Sequence, residues 1–270
     1  MTGPQIMKKA ALTLLAAINV LLSCQSTSLK SQKADDSRLI DFHTDESIKR
    51  LSESSAKVDF FALANHFEAQ SNAIFCGPTS ATIVLNTIHA TKPQLLPKDT
   101  SRLNRINPIK LPRSVDISLS RHTQETIVSK SPKDLKRVFG APISIKGKTQ
   151  IDPGYQLREF DGLLRAHGLK TKLRVLDANI SDKTALNEII TNLKQRNNYV
   201  IINYKRSGIG QKGGGHISPI GAYDEHSHSF LILDVNPAKA LWIWVPAKNL
   251  LKGMRSFDKR ENRGYVLVEG

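Results

Sequence analysis

The stretch "HISPIGAYDEHSHSFLILDVNP", His216 to Pro237, holds two apolar runs on either side of the polar turn "DEHSH". Runs of this length and composition read as buried strands, and the turn joins them into a hairpin. Similar runs recur around it: "YVIINY" from Tyr199, "LWIWVP" from Leu241 and "GYVLVE" from Gly264. Ahead of them the apolar spacing is helical. Leu157, Phe160, Leu163 and Leu164 share one face of "YQLREFDGLLRAHG", with Gly168 as its stop. Asp182 is expected to cap a second helix, whose apolar face is Leu186, Ile189, Ile190 and Leu193. Helices come first and a strand-rich half joined by short turns follows, which predicts an α+β fold with a mostly antiparallel sheet.

The hairpin carries a geometric expectation. If the chain reverses near Glu225, His216 and Asp234 become cross-strand neighbours with Cβ atoms roughly 5 Å apart. A carboxylate there holds the imidazole's tautomer and stabilises its charged form. The plainer reading is a solvated histidine beside a strand-end aspartate, and a slip of one residue would put the two on opposite faces. Three glycines, Gly213 to Gly215, precede His216 and let the backbone run close to another surface or a ligand.

A partner for such a pair lies far upstream, in "QSNAIFCGPTSATIVLN" from Gln70 to Asn86. Ala81, Val84, Leu85 and Ile88 have the spacing of a buried helical face, and Pro78 suits a first turn, so the helix begins just after Cys76. The positive end of its dipole favours a thiolate. Taken alone, a buried core thiol fits the position as well as a nucleophile does. A thiolate nucleophile needs a base distant in sequence, which His216 offers with Asp234 behind it. Gln70, six residues before Cys76, has a side-chain amide that could join the Cys76 N–H in holding an oxyanion.

The other cysteine, Cys24, follows Lys8, Lys9 and the apolar run Ala10 to Leu22, a signal-peptide pattern. At about 13 residues the run is short of a spanning helix. "LLSC" resembles the bacterial lipoprotein processing box, with cleavage before Cys24 and lipid on its sulfur. An ordinary secretory signal, or a Cys24 to Cys76 disulfide, are the alternatives. The expected organisation is a signal peptide over 1–23, a polar, serine-rich tether over 24–57 and one catalytic domain over 58–270. The expected location is across the inner membrane on the periplasmic face, with Gln25 favouring the outer membrane.

The formal charge of +15 falls to +13 when Lys8 and Lys9 leave with the signal. Basic residues are scattered from Lys92 to Arg174 and aromatics make up only 6%, which argues against nucleic acid and suits an anionic surface or small anionic substrate. His226 and His228 form an H-x-H pair without further ligands, so no metal site is assigned. Trp242 and Trp244 read as strand packing. From Lys92 to Pro153 the chain is irregular, with a helix near Pro132 to Val138 among long loops of the kind that often carry function.

"QSNAIFCGPTSATIVLN", "GGGHISPIGAY" and "FLILDVN" resemble the three catalytic blocks of the phytochelatin synthase family, which has a papain-like cysteine peptidase fold, and more closely its short bacterial members. The likeness runs from about Val58 to the end, helped by "WVP" and "RGYVLV". It implies a catalytic helix packed on the sheet, Cys76 as nucleophile, His216 as general base and acid, Asp234 as orienter and Gln70 at the oxyanion hole. It further implies Asp258 and Arg263 in "SFDKRENRGYVLV" as the substrate-holding pair, at altered spacing. The implied substrate is glutathione or a glutathione-like thiol peptide, cleaved at its Cys-Gly bond through a γ-glutamylcysteinyl thioester. No cofactor is implied for hydrolysis, and heavy-metal ions such as cadmium would activate transpeptidation. Because the chain ends without a cysteine-rich extension, γ-glutamylcysteine is expected as the main product and phytochelatin as the minor one. A homodimer and a membrane contact through the N-terminal lipid complete the expected partners. A cell-surface cysteine peptidase of other specificity, and a non-catalytic lipid-anchored binding module, are the competing readings.

Overall fold

Along the central strands alternate residues bury on opposite faces, so the sheet is covered on both sides. The computed structural model describes residues 38–99 and 116–270. The expected signal peptide, Cys24 and the expected tether up to residue 37 lie outside the described residues. Seven strands form the sheet: β1 (Ile40–Asp41), β2 (Lys170–Val175), β3 (Asn198–Lys205), β4 (Gly215–Asp224), β5 (Ser229–Ile232), β6 (Ile243–Pro246) and β7 (Gly264–Glu269). Their order is β1-β6-β5-β4-β3-β7-β2, every neighbour antiparallel. Seven α-helices accompany it among the described residues: α1 (Asp45–Glu53), α2 (Phe60–Asn65), α3 (Cys76–His89), α4 (Leu135–Val138), α5 (Leu157–Ala166), α6 (Asp182–Leu193) and α7 (Ala247–Met254). The α+β class and the antiparallel sheet are as expected.

Tyr199 and Ile201 of β3 join one core with Val84 of α3 and Phe160 of α5. Val200 and Ile202 join the other with Ile189 of α6 and Leu250 of α7. Apolar burial on both faces explains why these strands read as near-continuous hydrophobic runs. Trp244 is fully buried, and Trp242 packs edge-on against Phe42, Phe60 and Phe67. Both tryptophans therefore belong to packing, as read from the sequence.

Three details differ from the sequence reading. β2, "KTKLRV", was not foreseen: as an edge strand it turns Leu173 and Val175 to the core and alternates them with cations, which also protect the edge. The cap of α6 is Ser181, whose hydroxyl accepts from Thr184 N, while Asp182 is the first helical residue. Most substantially, residues 38–57 are built into the domain and are not tether. β1 pairs with β6, the Ser47 hydroxyl accepts from Trp244 Nε1 at 2.8 Å, and Arg50 donates to the Ser229 hydroxyl at 3.0 Å. A serine-rich segment looks solvated, but here its polar side chains satisfy buried donors and acceptors at the sheet's edge.

Candidate active site

Helix α3 is buried on every side from Gly77 to Thr87, a central helix where the spacing alone suggested an amphipathic one. Two of its small polar residues find backbone acceptors while Thr82 Oγ1 is buried without one: Thr87 Oγ1 donates to Ile83 O at 2.7 Å, and Ser80 Oγ donates to Ile217 O at 3.1 Å. The second of these ties the helix to the strand that carries His216. The helix starts at Cys76 itself, with Phe75 as N-cap. Cys76 is partly buried and its thiol is free.

The Cys76 thiol and the His216 imidazole line the same cleft, close enough to shift each other's titration. Burial pushes the thiol up, but His216, with the backbone N–H groups of Ile217 and Gly77, carries it below its ordinary value. For His216, burial pushes the imidazole down and is outweighed by Asp234 and Cys76, so it titrates higher than usual. A lowered thiol beside a raised imidazole favours the thiolate–imidazolium state. His216 Nε2 lies 2.9 Å from Asp234 Oδ1 and 3.0 Å from Ser218 Oγ.

The strand register that joins His216 to Asp234 is not the one expected. Tyr223 pairs with Phe230 near the turn, the ladder shifts at Gly221, and beyond it Ile220 pairs with Ile232. Leu233 N donates to Pro219 O at 2.9 Å, and continuing that register sets Asp234 opposite Ser218. Asp234 thus lies opposite Ser218 and two residues from the expected pairing with His216, so the face is preserved and His216 and Asp234 meet as diagonal neighbours.

Asp234 is itself clamped. Arg206 reaches both of its oxygens, Nη2 to Oδ1 at 2.9 Å and Nη1 to Oδ2 at 2.7 Å. Asn236 N donates to Oδ1 at 2.9 Å and the Tyr204 hydroxyl to Oδ2 at 3.3 Å. The Tyr204 ring stands edge-on to the His216 ring, centroids 5.7 Å apart. Burial pushes the Asp234 carboxyl up, and His216 and Arg206 together hold it below its ordinary value.

Cys76 and His216 open onto a cleft of about 330 Å³ lined also by Asp152, Tyr155, Asp258 and Arg263. Arg263 Nη2 meets Asp258 Oδ1 at 2.9 Å, so the two residues of altered spacing do come together beside the thiol. A Cβ on Gly215 would lie 2.7 Å from Arg263 Nη2, which identifies the surface that the glycine run approaches. Gln70 is anchored nearby by its N–H to Val235 O at 2.8 Å, next to Asp234. One of its amide N–H groups donates to Asn72 O at 2.7 Å, its Oε1 is buried without a partner, and it does not line the cleft. His228 takes no part, bonding the Tyr223 hydroxyl at 3.0 Å.

Arg206, Tyr204, Asp152 and Gln124 were not singled out in the sequence. Arg206 stands between a strand and a glycine-rich loop like any solvated cation, and nothing local marks its partner. Ser218 was legible: two residues after His216 on one strand, it shares that face.

A family profile described as phytochelatin synthase matches residues 15–107 and 119–265. The chain is 34% identical over 118 residues to a glutathione gamma-glutamylcysteinyltransferase of Schizosaccharomyces pombe, covering 43% of this chain and 28% of that protein. It is 25% identical over 217 residues to glutathione gamma-glutamylcysteinyltransferase 3 of Lotus japonicus, covering 77% and 37%, and 26% identical over 217 residues to type 2 of Arabidopsis thaliana, covering 77% and 39%. The chain thus spans well under half the length of the curated relatives it matches.

Proposed function

We propose that this chain, which belongs to the phytochelatin synthase family, is a cysteine acyltransferase and hydrolase acting on glutathione. The observation that carries the reading is the unbroken run of contacts from the thiol at the start of α3 through His216 to Asp234, facing a cleft that also holds an Asp258–Arg263 ion pair. The names of the relatives supply the substrate class, and the Asp258–Arg263 pair suits a substrate end bearing both an amine and a carboxylate.

In this reading the Cys76 thiolate attacks the carbonyl of the Cys-Gly bond. The Cys76 N–H holds the developing oxyanion, joined by the Gln70 amide once it turns from Asn72 O toward the cleft, and His216 gives its proton to the departing glycine amine. The γ-glutamylcysteinyl thioester then passes to water, giving γ-glutamylcysteine, or to the amine of a second glutathione, giving phytochelatin. Water is the main acceptor, because a second glutathione must be held beside the thioester to compete with it. The order of helix, thiol and sheet agrees with the papain-like likeness. Among the described residues no group of three or more His, Cys, Asp or Glu side chains is placed to hold a metal ion, and no step is assigned to one. Cadmium enters only as an expected activator of transfer.

Incubation of glutathione with the purified protein, followed by mass spectrometry, tests the reading. Release of glycine with γ-glutamylcysteine in excess of phytochelatin is expected, and intact glutathione after prolonged incubation would refute it. The N-terminal pattern completes the proposal as a lipid-anchored protein on the periplasmic face, with the lipid on Cys24.

A further inference from the structure

Gln124 lies in the irregular stretch between α3 and α5, for which the sequence suggested no task, and it is 1% exposed. Its Oε1 accepts from Ser71 N at 2.7 Å, and its Nε2 donates to Ala69 O at 3.0 Å. One side-chain amide therefore takes the two backbone groups that flank Gln70, as a neighbouring strand would. The same Oε1 accepts from Thr79 Oγ1 at 2.7 Å, on the first turn of the helix that begins with Cys76. The segment bearing Gln124 is in turn clasped by α3. Asn86 Nδ2 donates to His122 O at 3.0 Å, and His122 N donates to Asn86 Oδ1 at 2.8 Å. Three of the four hydrogen bonds that this buried amide can make are thus spent on the loop before Cys76 and on the helix after it.

We infer that Gln124 is a positioning residue that fixes the Gln70 loop relative to Cys76 and so holds the oxyanion donor in register with the nucleophile. The inference rests on the acyl-transfer reading proposed above. Beyond the single bond from Gln70 N to Val235 O, the loop has no backbone ladder to set its height above the thiol, and a misplacement of about 1 Å is worth roughly 10²-fold in rate. Gln124 supplies the missing ladder.

The test uses two reactions of the same thiol. Alkylation of Cys76 by iodoacetamide needs the thiolate but forms no oxyanion, whereas glycine release from glutathione needs both. Gln124→Ala is expected to lower kcat for glycine release by about tenfold to a hundredfold. KM, the alkylation rate and the pH profile of alkylation should stay within about twofold. Gln124→Met fills the same space without the hydrogen bonds, so an equal loss there assigns the effect to the bonds and not to a cavity. In a Gln70→Ala background, Gln124→Ala is expected to cost little more, because residues acting through one another are not additive. An undiminished kcat, an alkylation rate that falls in step with kcat, or the same loss with and without Gln70 would each overturn the inference. Wild-type protein that alkylates readily but releases no glycine would instead refute the acyl-transfer reading itself.

Discussion

The two walls of the cleft are held by different means. On the His216 side the parts sit on a sheet: β3, β4 and β5 are paired throughout, and Arg206, Tyr204 and Asn236 N close around Asp234. On the Cys76 side the thiol stands on the first residue of a buried helix, and the loop before it is held largely by side-chain amides. The sheet side is organised by backbone register, which alternation in the sequence announces. The helix side depends on single side chains from distant segments. The first keeps its chemistry across a two-residue offset from the expected pairing of His216 with Asp234, because an even offset preserves the face; the second has no such reserve.

The largest effects are expected where the walls meet. Cys76→Ser and His216→Ala should each reduce glycine release to background, and the double variant should lose no more than either alone. Assay of all three variants checks this, and additive losses would mean that the walls do not act as one unit.

Arg206 separates structure from chemistry on the sheet side. Arg206→Met leaves a buried carboxylate without its counter-charge, at a cost of about 3–5 kcal/mol, read from urea unfolding. Adding Asp234→Asn should recover much of that stability while activity stays at least roughly 10²-fold down, because the neutral amide no longer stabilises the imidazolium. Recovery of both would show that Asp234 is a packing residue.

On the helix side a histidine cluster backs α3. His89 Nδ1 lies 3.0 Å from His122 Nε2, and the His122 and His167 rings stand edge to face at 5.9 Å. Burial, with the neighbouring histidines and Lys130, pushes His122 down to about 4, and burial also lowers His89 and His167. The folded values lie below the ordinary 6.5, so protonation favours the unfolded chain. This contribution is complete above about pH 6.5 and is lost as pH falls from there toward about 4. Stability should drop by roughly 1–2 kcal/mol between pH 7 and 5 through this term, and His122→Gln should flatten the pH dependence of the urea midpoint. An unchanged slope would remove the cluster from the account.

The smallest effect tests the join between His216 and the far end of the cleft. Gly215→Ala must displace the Arg263 guanidinium. About a tenfold rise in KM for glutathione is expected with kcat nearly kept, equivalent to about 1.4 kcal/mol. A fall in kcat alone would indicate that the methyl group disturbs His216 and leaves substrate binding intact.

Much of the site was legible because its chemistry is local. Cys76 before a helix and His216 opening a strand are visible in short windows, and so is Asp234 closing one. The catalytic pair was reached through the wrong register, since the turn centres between His226 and Ser227 and not at Glu225, and the one-residue bulge at Gly221 that restores the face has no signal beyond a glycine in an apolar run. Residues 38–57 were misread because a solvated and a buried serine look alike until a Trp244 arrives to use Ser47, and Arg50 looks like any surface cation until Ser229 meets it.

By itself the sequence determined the elements and their faces, since hydrophobic periodicity is a property of neighbours in the chain. It also determined which residue types could perform the chemistry. Only the tertiary structure decided which distant polar groups would find each other: Arg206 with Asp234, Gln124 with the loop around Gln70, and Arg263 with Gly215. Those pairings follow from burial, because a buried charge or amide must be matched, and the chain that supplies the match is chosen by the packing of the whole fold.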